Sequence, residues 1–178
     1  MLLIALPRPS PASPCSAAIR HTPDTPSAPR GAPGDEVAFA QVSSVSEQPG
    51  NSMNIFFDVD HTLIDSGNRL RPGVPELFTR LAAEGHHLYL WSGIGERPEV
   101  IEQHGLAPYV TACYVKPLYQ HRRMLGPLGI GINPDFTVDD HPDLPAVFGG
   151  VVVRSFLVYD ADDREMERVY AAIRARTS

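Results

Sequence analysis

The sequence predicts an α/β domain, a central parallel sheet of about five strands with helices on both faces. Three observations predict it. From Met53 onward, short apolar runs rich in β-favouring residues alternate with segments of helical periodicity. That alternation is the signature of strands joined by helical crossovers and covered on both faces. Successive apolar runs also end in polar residues, as strands do when they deliver side chains to one rim of a sheet.

Taken in order, Ile55-Phe56-Phe57 reads as the first strand and Ser66-Gly67-Asn68-Arg69 as a short polar loop. Residues 75–84 place Leu77, Phe78 and Leu81 on one helical face, and Gly85 stops that helix. Residues 87–91 form the second strand and Ser92-Gly93-Ile94-Gly95 a turn. A helix then opens with Pro98 at an early position and runs to about residue 104. Residues 111–115 are the third strand and 118–125 the third helix. Residues 136–138 are the fourth strand, 144–148 a turn or two of helix, and 151–153 the fifth strand. The last element is an amphipathic helix over 163–176, with Met166, Val169, Tyr170 and Ile173 inward.

Residues 1–52 differ from the rest. They hold nine of the 18 prolines, mixed with Ser, Ala and Gly, a composition that buries too little apolar surface to offset chain entropy. They are expected to be a disordered tail, with the folded domain over 53–178. The apolar start is too short for a signal peptide, lacks a basic region and is cut off by Pro7. Met53 stands directly before the first strand, so a further expectation is that translation begins there and the upstream stretch is a mis-assigned start.

The length of 178 residues suits one domain plus a tail, and 43% hydrophobic content is enough for a core. A formal net charge of −6 argues against nucleic acid as a partner. Two cysteines, Cys15 and Cys113, are too few for a disulfide framework and suggest a reducing, cytoplasmic setting. No apolar run approaches the ~20 residues of a membrane-spanning helix. The pair Gly93 and Gly95 is followed by Pro98 where a dinucleotide fingerprint needs Gly, and no phosphate-binding loop of the nucleotide-hydrolase type occurs. His61, His86, His87 and His141 lack paired ligand spacing, and Trp91 reads as packing.

The chemistry concentrates where strands end. Asp58 and Asp60 close the first run, and strand alternation points both to one side and Val59 to the other. Two ionised carboxylates ~4 Å apart repel by about 4 kcal/mol at an effective dielectric of ~20, so the pair implies a cation. Ser92 ends the second strand, Lys116 the third, and Asp139 with Asp140 the fourth. Singly, Ser92 reads as a turn serine, Lys116 as a surface lysine and the acidic pair as a helix cap. Four complementary marks at one rim read as an active site. Four carboxylates against one ammonium leave an excess of negative charge that would repel phosphate. A hard divalent cation on oxygen ligands, Mg²⁺ above all, removes that difficulty.

In these segments, D-V-D-H-T over 58–62, Ser92 in L-Y-L-W-S, Lys116 in Y-V-K-P and D-D after F-T-V, the chain resembles the haloacid dehalogenase superfamily. All four of that family's motifs occur in its order, within a likeness spanning about residue 53 to the C-terminus. The resemblance implies a Rossmann-like three-layer α/β/α sandwich and a Mg²⁺-dependent phosphatase. It implies Asp58 as the nucleophile that forms an aspartyl-phosphate, and Asp60 as the acid that protonates the leaving oxygen and then activates water. Ser92, with neighbouring backbone N–H groups such as that of Gly93, would hold phosphate oxygens, and Lys116 would offset developing charge. Metal would be held by the Asp58 carboxylate, the Asp60 main-chain carbonyl and an acid of the Asp139–Asp140 pair, with Asp140 favoured. Asp143 is a further candidate, and Thr62 either braces the Asp58 loop or is a plain turn hydroxyl.

The presence of Asp60 sets the chain apart from the family's halide-removing members, which lack the second acid. Only a handful of residues separate Asp65 from Arg71, and residues 92–116 suffice for one helix and one strand, so no cap domain is expected. The site should be open unless a partner or a second subunit of a homo-oligomer closes it. Its substrate would be a phosphorylated small molecule or macromolecule. A rival reading is a non-catalytic metal- or phosphate-binding module whose proline-rich tail recruits partners.

Overall fold

A computed structural model describes residues 52–177. The expected tail lies outside the described residues apart from Ser52, whose hydroxyl donates to the Gly85 carbonyl. The elements run β1 (Asn54–Asp58), α1 (Val74–Ala83), β2 (His87–Ser92), α2 (Pro98–Gln103) and β3 (Val110–Val115). They continue with α3 (His121–Met124), β4 (Phe136–Asp139), α4 (Asp143–Phe148), β5 (Gly150–Val152) and α5 (Glu165–Thr177). All strand pairs are parallel, and the five-stranded sheet has the order β3-β2-β1-β4-β5. This is the predicted Rossmann-like α/β architecture.

The run Ile55-Phe56-Phe57 builds both layers because successive side chains leave a strand on opposite faces. Ile55 and Phe57 pack with Leu77, Phe78 and Leu81 of α1, Val100 and Ile101 of α2, and Met166, Val169 and Ile173 of α5. Phe56 faces the other way, into Tyr89, Trp91 and Tyr114 from the neighbouring strands and Leu144 and Phe148 of α4. Phe56 stacks on Tyr89 with ring centroids 4.7 Å apart. Trp91 is fully buried in this cluster, as its reading as packing requires.

Two elements depart from the sequence reading. The third helix covers only His121–Met124, because Pro117 precedes it and Gln120 sits in the left-handed region at φ 45°, while Gly126-Pro127 ends it. The last helix begins at Glu165, where the Asp163 side chain accepts the Glu165 N–H. Within that helix Tyr170 packs against the core as read, partly buried, with its hydroxyl on Glu84 and its ring under Arg80.

The strand order places the site. From β1 the chain winds to β2 and β3 on one side, then returns to add β4 and β5 on the other. Loops leaving the carboxyl ends of β1 and β4 therefore diverge and open a crevice between them, where open α/β sheets bind ligands. Among the described residues no domain is inserted at this crevice: Ile64 bridges Leu70 in a tight excursion, and α2 and β3 alone separate Ser92 from Lys116. Among the described residues, no helix is long and apolar enough to cross a membrane.

Candidate active site

β1 delivers Asp58 to the crevice as its last residue, buried, beside Trp91 on β2. The Lys116 ammonium, one residue past β3, reaches across the rim and donates to Asp58 Oδ1 at 2.7 Å and to Asp139 Oδ2 at 3.1 Å. On the other oxygen of Asp58, the Thr62 hydroxyl donates at 2.9 Å. The same hydroxyl accepts the Asp140 N–H at 3.1 Å, so Thr62 ties the loop after β1 to the loop after β4. Thr62 therefore braces the site.

Asp139 and Asp140 divide their roles. Asp139, buried at the end of β4, accepts the His141 N–H at 2.9 Å as well as Lys116. Asp140 is partly exposed, and its Oδ2 accepts the Ser155 hydroxyl at 2.7 Å. Asp58, Asp139 and Asp140 each offer a carboxylate oxygen within 4.8 Å of the others, a group able to hold a metal ion. Oxygen donors in that number suit a hard divalent cation completed by water and substrate. Neither acid caps α4, which begins without a side-chain cap.

Burial sets the electrostatics. It pushes the Asp58 carboxyl up to about 7, with Lys116 pulling it down and Asp139 adding to the rise. Asp139 is raised by burial too, against the pull of Lys116 and the His141 amide. Burial disfavours the Lys116 charge, yet Asp58 and Asp139 outweigh it and hold the ammonium above its ordinary range. One lysine between two buried carboxylates leaves a negative charge in excess, which a cation would relieve.

Asp60 lies two residues beyond the end of β1, and Val59 between the two acids turns into the core with Ile55 and Phe57, as strand alternation requires. β1 ends at Asp58, and the chain turns at once: the N–H groups of Thr62, Leu63 and Ile64 all point at the Val59 carbonyl, and His61 takes a left-handed φ of 60°. The Asp60 carboxylate sits on the β2 side of the rim, where it accepts the Ser92 hydroxyl at 2.6 Å and the Arg97 guanidinium. Its side chain is absent from the carboxylate group; of Asp60, only the main-chain carbonyl is left as a prospective metal ligand.

Ser92 is buried at the end of β2, donates to Asp60 and accepts the Ile94 N–H at 3.2 Å. Gly93 allows a close approach, since a Cβ there would lie 3.2 Å from Leu118 and 3.9 Å from the Lys116 Cε. Asp143 is exposed and outside the carboxylate group. It lines a cavity of about 230 Å³ that opens beside Lys116 and Asp139 and is walled by Leu118, His121 and Leu144. A larger cavity of about 360 Å³ lies between α1 and α5 and holds none of the predicted residues.

Sequence reasoning missed two arginine-centred features. Arg97, five residues beyond Ser92, supplies a second cation, so four carboxylates face two cations instead of one. Arg71 donates to the Thr62 carbonyl at 3.1 Å and to both oxygens of Asp163, bracing the Asp58 loop from behind. Arg97 follows a Gly-rich turn at a strand end, a signal that could have flagged it. Nothing local could have paired Arg71 with a carboxylate 92 residues away.

No protein-family model matches the chain, and no curated protein matches it in sequence.

Proposed function

We propose that this protein is a capless, Mg²⁺-dependent phosphatase of the haloacid dehalogenase type, hydrolysing phosphomonoesters through an aspartyl-phosphate on Asp58. One observation carries the reading: Asp58, gripped by Lys116 and Thr62, stands within 4.8 Å of Asp139 and Asp140 at a switch point of a parallel sheet.

Asp58, Asp139 and Asp140, with the Asp60 carbonyl, would hold the ion. Bound Mg²⁺ supplies positive charge that offsets the carboxylates and polarises the phosphoryl oxygens. Asp58 Oδ attacks phosphorus while the bond to the leaving oxygen breaks, and Asp60 gives that oxygen a proton. Asp60 then takes a proton from the water that cleaves the aspartyl-phosphate. Lys116 keeps Asp58 oriented and balances charge as phosphate is bound, and the Ser92 hydroxyl and Gly93 N–H hold phosphoryl oxygens. The absence of an inserted domain favours a substrate approached from an open rim, small or macromolecular, unless a second copy of the chain covers it. The setting that suits this chemistry is cytoplasmic.

The test is hydrolysis of a generic aryl phosphate with and without Mg²⁺. Turnover that needs the ion and vanishes in Asp58→Asn supports the enzyme. Calorimetric binding of Mg²⁺ or phosphate with no turnover by the wild-type chain would replace it with a non-catalytic binding module.

A further inference from the structure

Ser92 has a conflict that the geometry makes explicit. Its hydroxyl carries one proton, and that proton goes to Asp60 Oδ2 at 2.6 Å, while its oxygen accepts the Ile94 N–H. A hydroxyl cannot donate the same proton to Asp60 and to a phosphoryl oxygen. When Ser92 turns to phosphate, Asp60 loses one of its two holds.

The second hold is on the other oxygen. Arg97 Nη1 grips Asp60 Oδ1, so it does not compete with Ser92. Arg97 is itself anchored: its N–H donates to Cys113 Sγ on β3 at 3.3 Å, its Nε pairs with Glu99, and Pro98 behind it starts α2. Its side chain is only 15% exposed. A planar guanidinium fixed in this way orients a carboxylate better than a mobile ammonium would.

We propose that Arg97 is the positioning residue for Asp60, keeping its carboxyl over the site while the Ser92 hydroxyl passes from Asp60 to a phosphoryl oxygen. The inference rests on the phosphatase reading above. In the first step an Asp58 oxygen bonds to phosphorus, the bond from phosphorus to the leaving oxygen breaks, and that oxygen takes its proton from Asp60. In the second, a water oxygen bonds to phosphorus, the Asp58–phosphorus bond breaks, and the water proton returns to Asp60. A misplaced Asp60 therefore hurts most where the leaving oxygen is basic and needs the proton.

Single-turnover rates of the first step, with Mg²⁺ in excess, test this on nitrophenyl phosphate and on glycerol phosphate. Nitrophenolate departs without a proton; the glycerol alkoxide does not. Arg97→Met should slow the glycerol ester more than the nitrophenyl ester by about tenfold or more, within the span that general acid catalysis commands. KM should change little, and Arg97→Lys should recover part of the loss. If Arg97→Met does not fold, Arg97→Gln gives the same comparison. Equal slowing of both esters, or a raised KM with unchanged rate, would overturn the assignment and leave Arg97 as a structural or phosphate-binding group. Failure of the underlying reading looks different, with wild type and Asp58→Asn indistinguishable on both esters.

Discussion

Lys116 serves two buried carboxylates, Asp58 and Asp139, whereas a single buried carboxylate, Asp163, is served by two arginines, Arg71 and Arg154. Both networks lie beside the loop after β1, and Thr62 touches each. Their ionisation runs in opposite directions. Burial would raise Asp163, but hydrogen bonds from Arg71, the Glu165 amide and Arg154 bring its carboxyl down to about 2. Burial wins at Asp58, with too few donors to offset it. One network is closed by the chain itself, while in the other a single ammonium stands between two buried carboxylates.

The sharpest way to break the comparison is to remove one acid from each network. Asp163→Ala leaves the fully buried Arg71 guanidinium without its carboxylate, so unfolding free energy should fall by about 3–5 kcal/mol, the cost of an uncompensated buried charge. Asp58→Asn should do the reverse in metal-free protein at neutral pH and stabilise it by about 1–2 kcal/mol, since it relieves the pressure that raises Asp58. Urea unfolding of both variants measures this. Two losses of equal size would mean that the networks are alike, and the case for a charge-deficient site would fail.

A smaller effect should appear with pH. Asp58 binds its proton more tightly folded than unfolded, from an ordinary 3.8 up to about 7. Between those values the folded state holds more protons, so this contribution is complete below about 3.8 and is lost as pH rises through about 7. Asp139 shifts in the same direction. Asp163 works oppositely in a separate window, its contribution present above 3.8 and lost as pH falls toward 2. Metal-free melting temperature should thus drop by several degrees or more as pH rises from about 4 to about 7, since a shift of this size is worth roughly a few kcal/mol over that window. Excess Mg²⁺ should flatten that slope, and Asp58→Asn should remove most of it. A slope identical in wild type and Asp58→Asn would assign it elsewhere.

What could be read in the sequence follows the same division. Apolar runs marked every strand to within a residue or two, most plainly β1, β2 and β4, whose burial on both faces leaves little freedom in composition. The polar residues that close those runs, Asp58, Ser92, Lys116 and Asp139, were legible because parallel strands carry their ends to one rim. The grip of Arg97 on Asp60 was not, since it joins residues 37 apart in the chain that only the fold brings together. The short α3 was misread because helical periodicity over 118–125 says nothing about the left-handed backbone of Gln120. The Arg71–Asp163 pairing joins segments 92 residues apart, and only the tertiary fold brings them together.

Thr62 is where the two networks meet, and its substitution should give the smallest change in stability and the most selective one. Its carbonyl belongs to the Arg71 network, while its hydroxyl donates to Asp58 and accepts the Asp140 N–H. Thr62→Val keeps shape and carbonyl and removes only the hydroxyl, leaving the Asp140 N–H without that acceptor. Lost hydrogen bonds of this kind cost about 1 kcal/mol. Metal binding should suffer more, because groups that orient ligands typically carry about 10–100-fold in affinity. Titration calorimetry with Mg²⁺ should therefore show clearly weakened binding in Thr62→Val and near-normal binding in Thr62→Ser, whose hydroxyl can make the same two bonds. Should Thr62→Val bind Mg²⁺ as tightly as wild type, Asp140 would not depend on this bridge, and the loops after β1 and β4 would be held in register by packing alone.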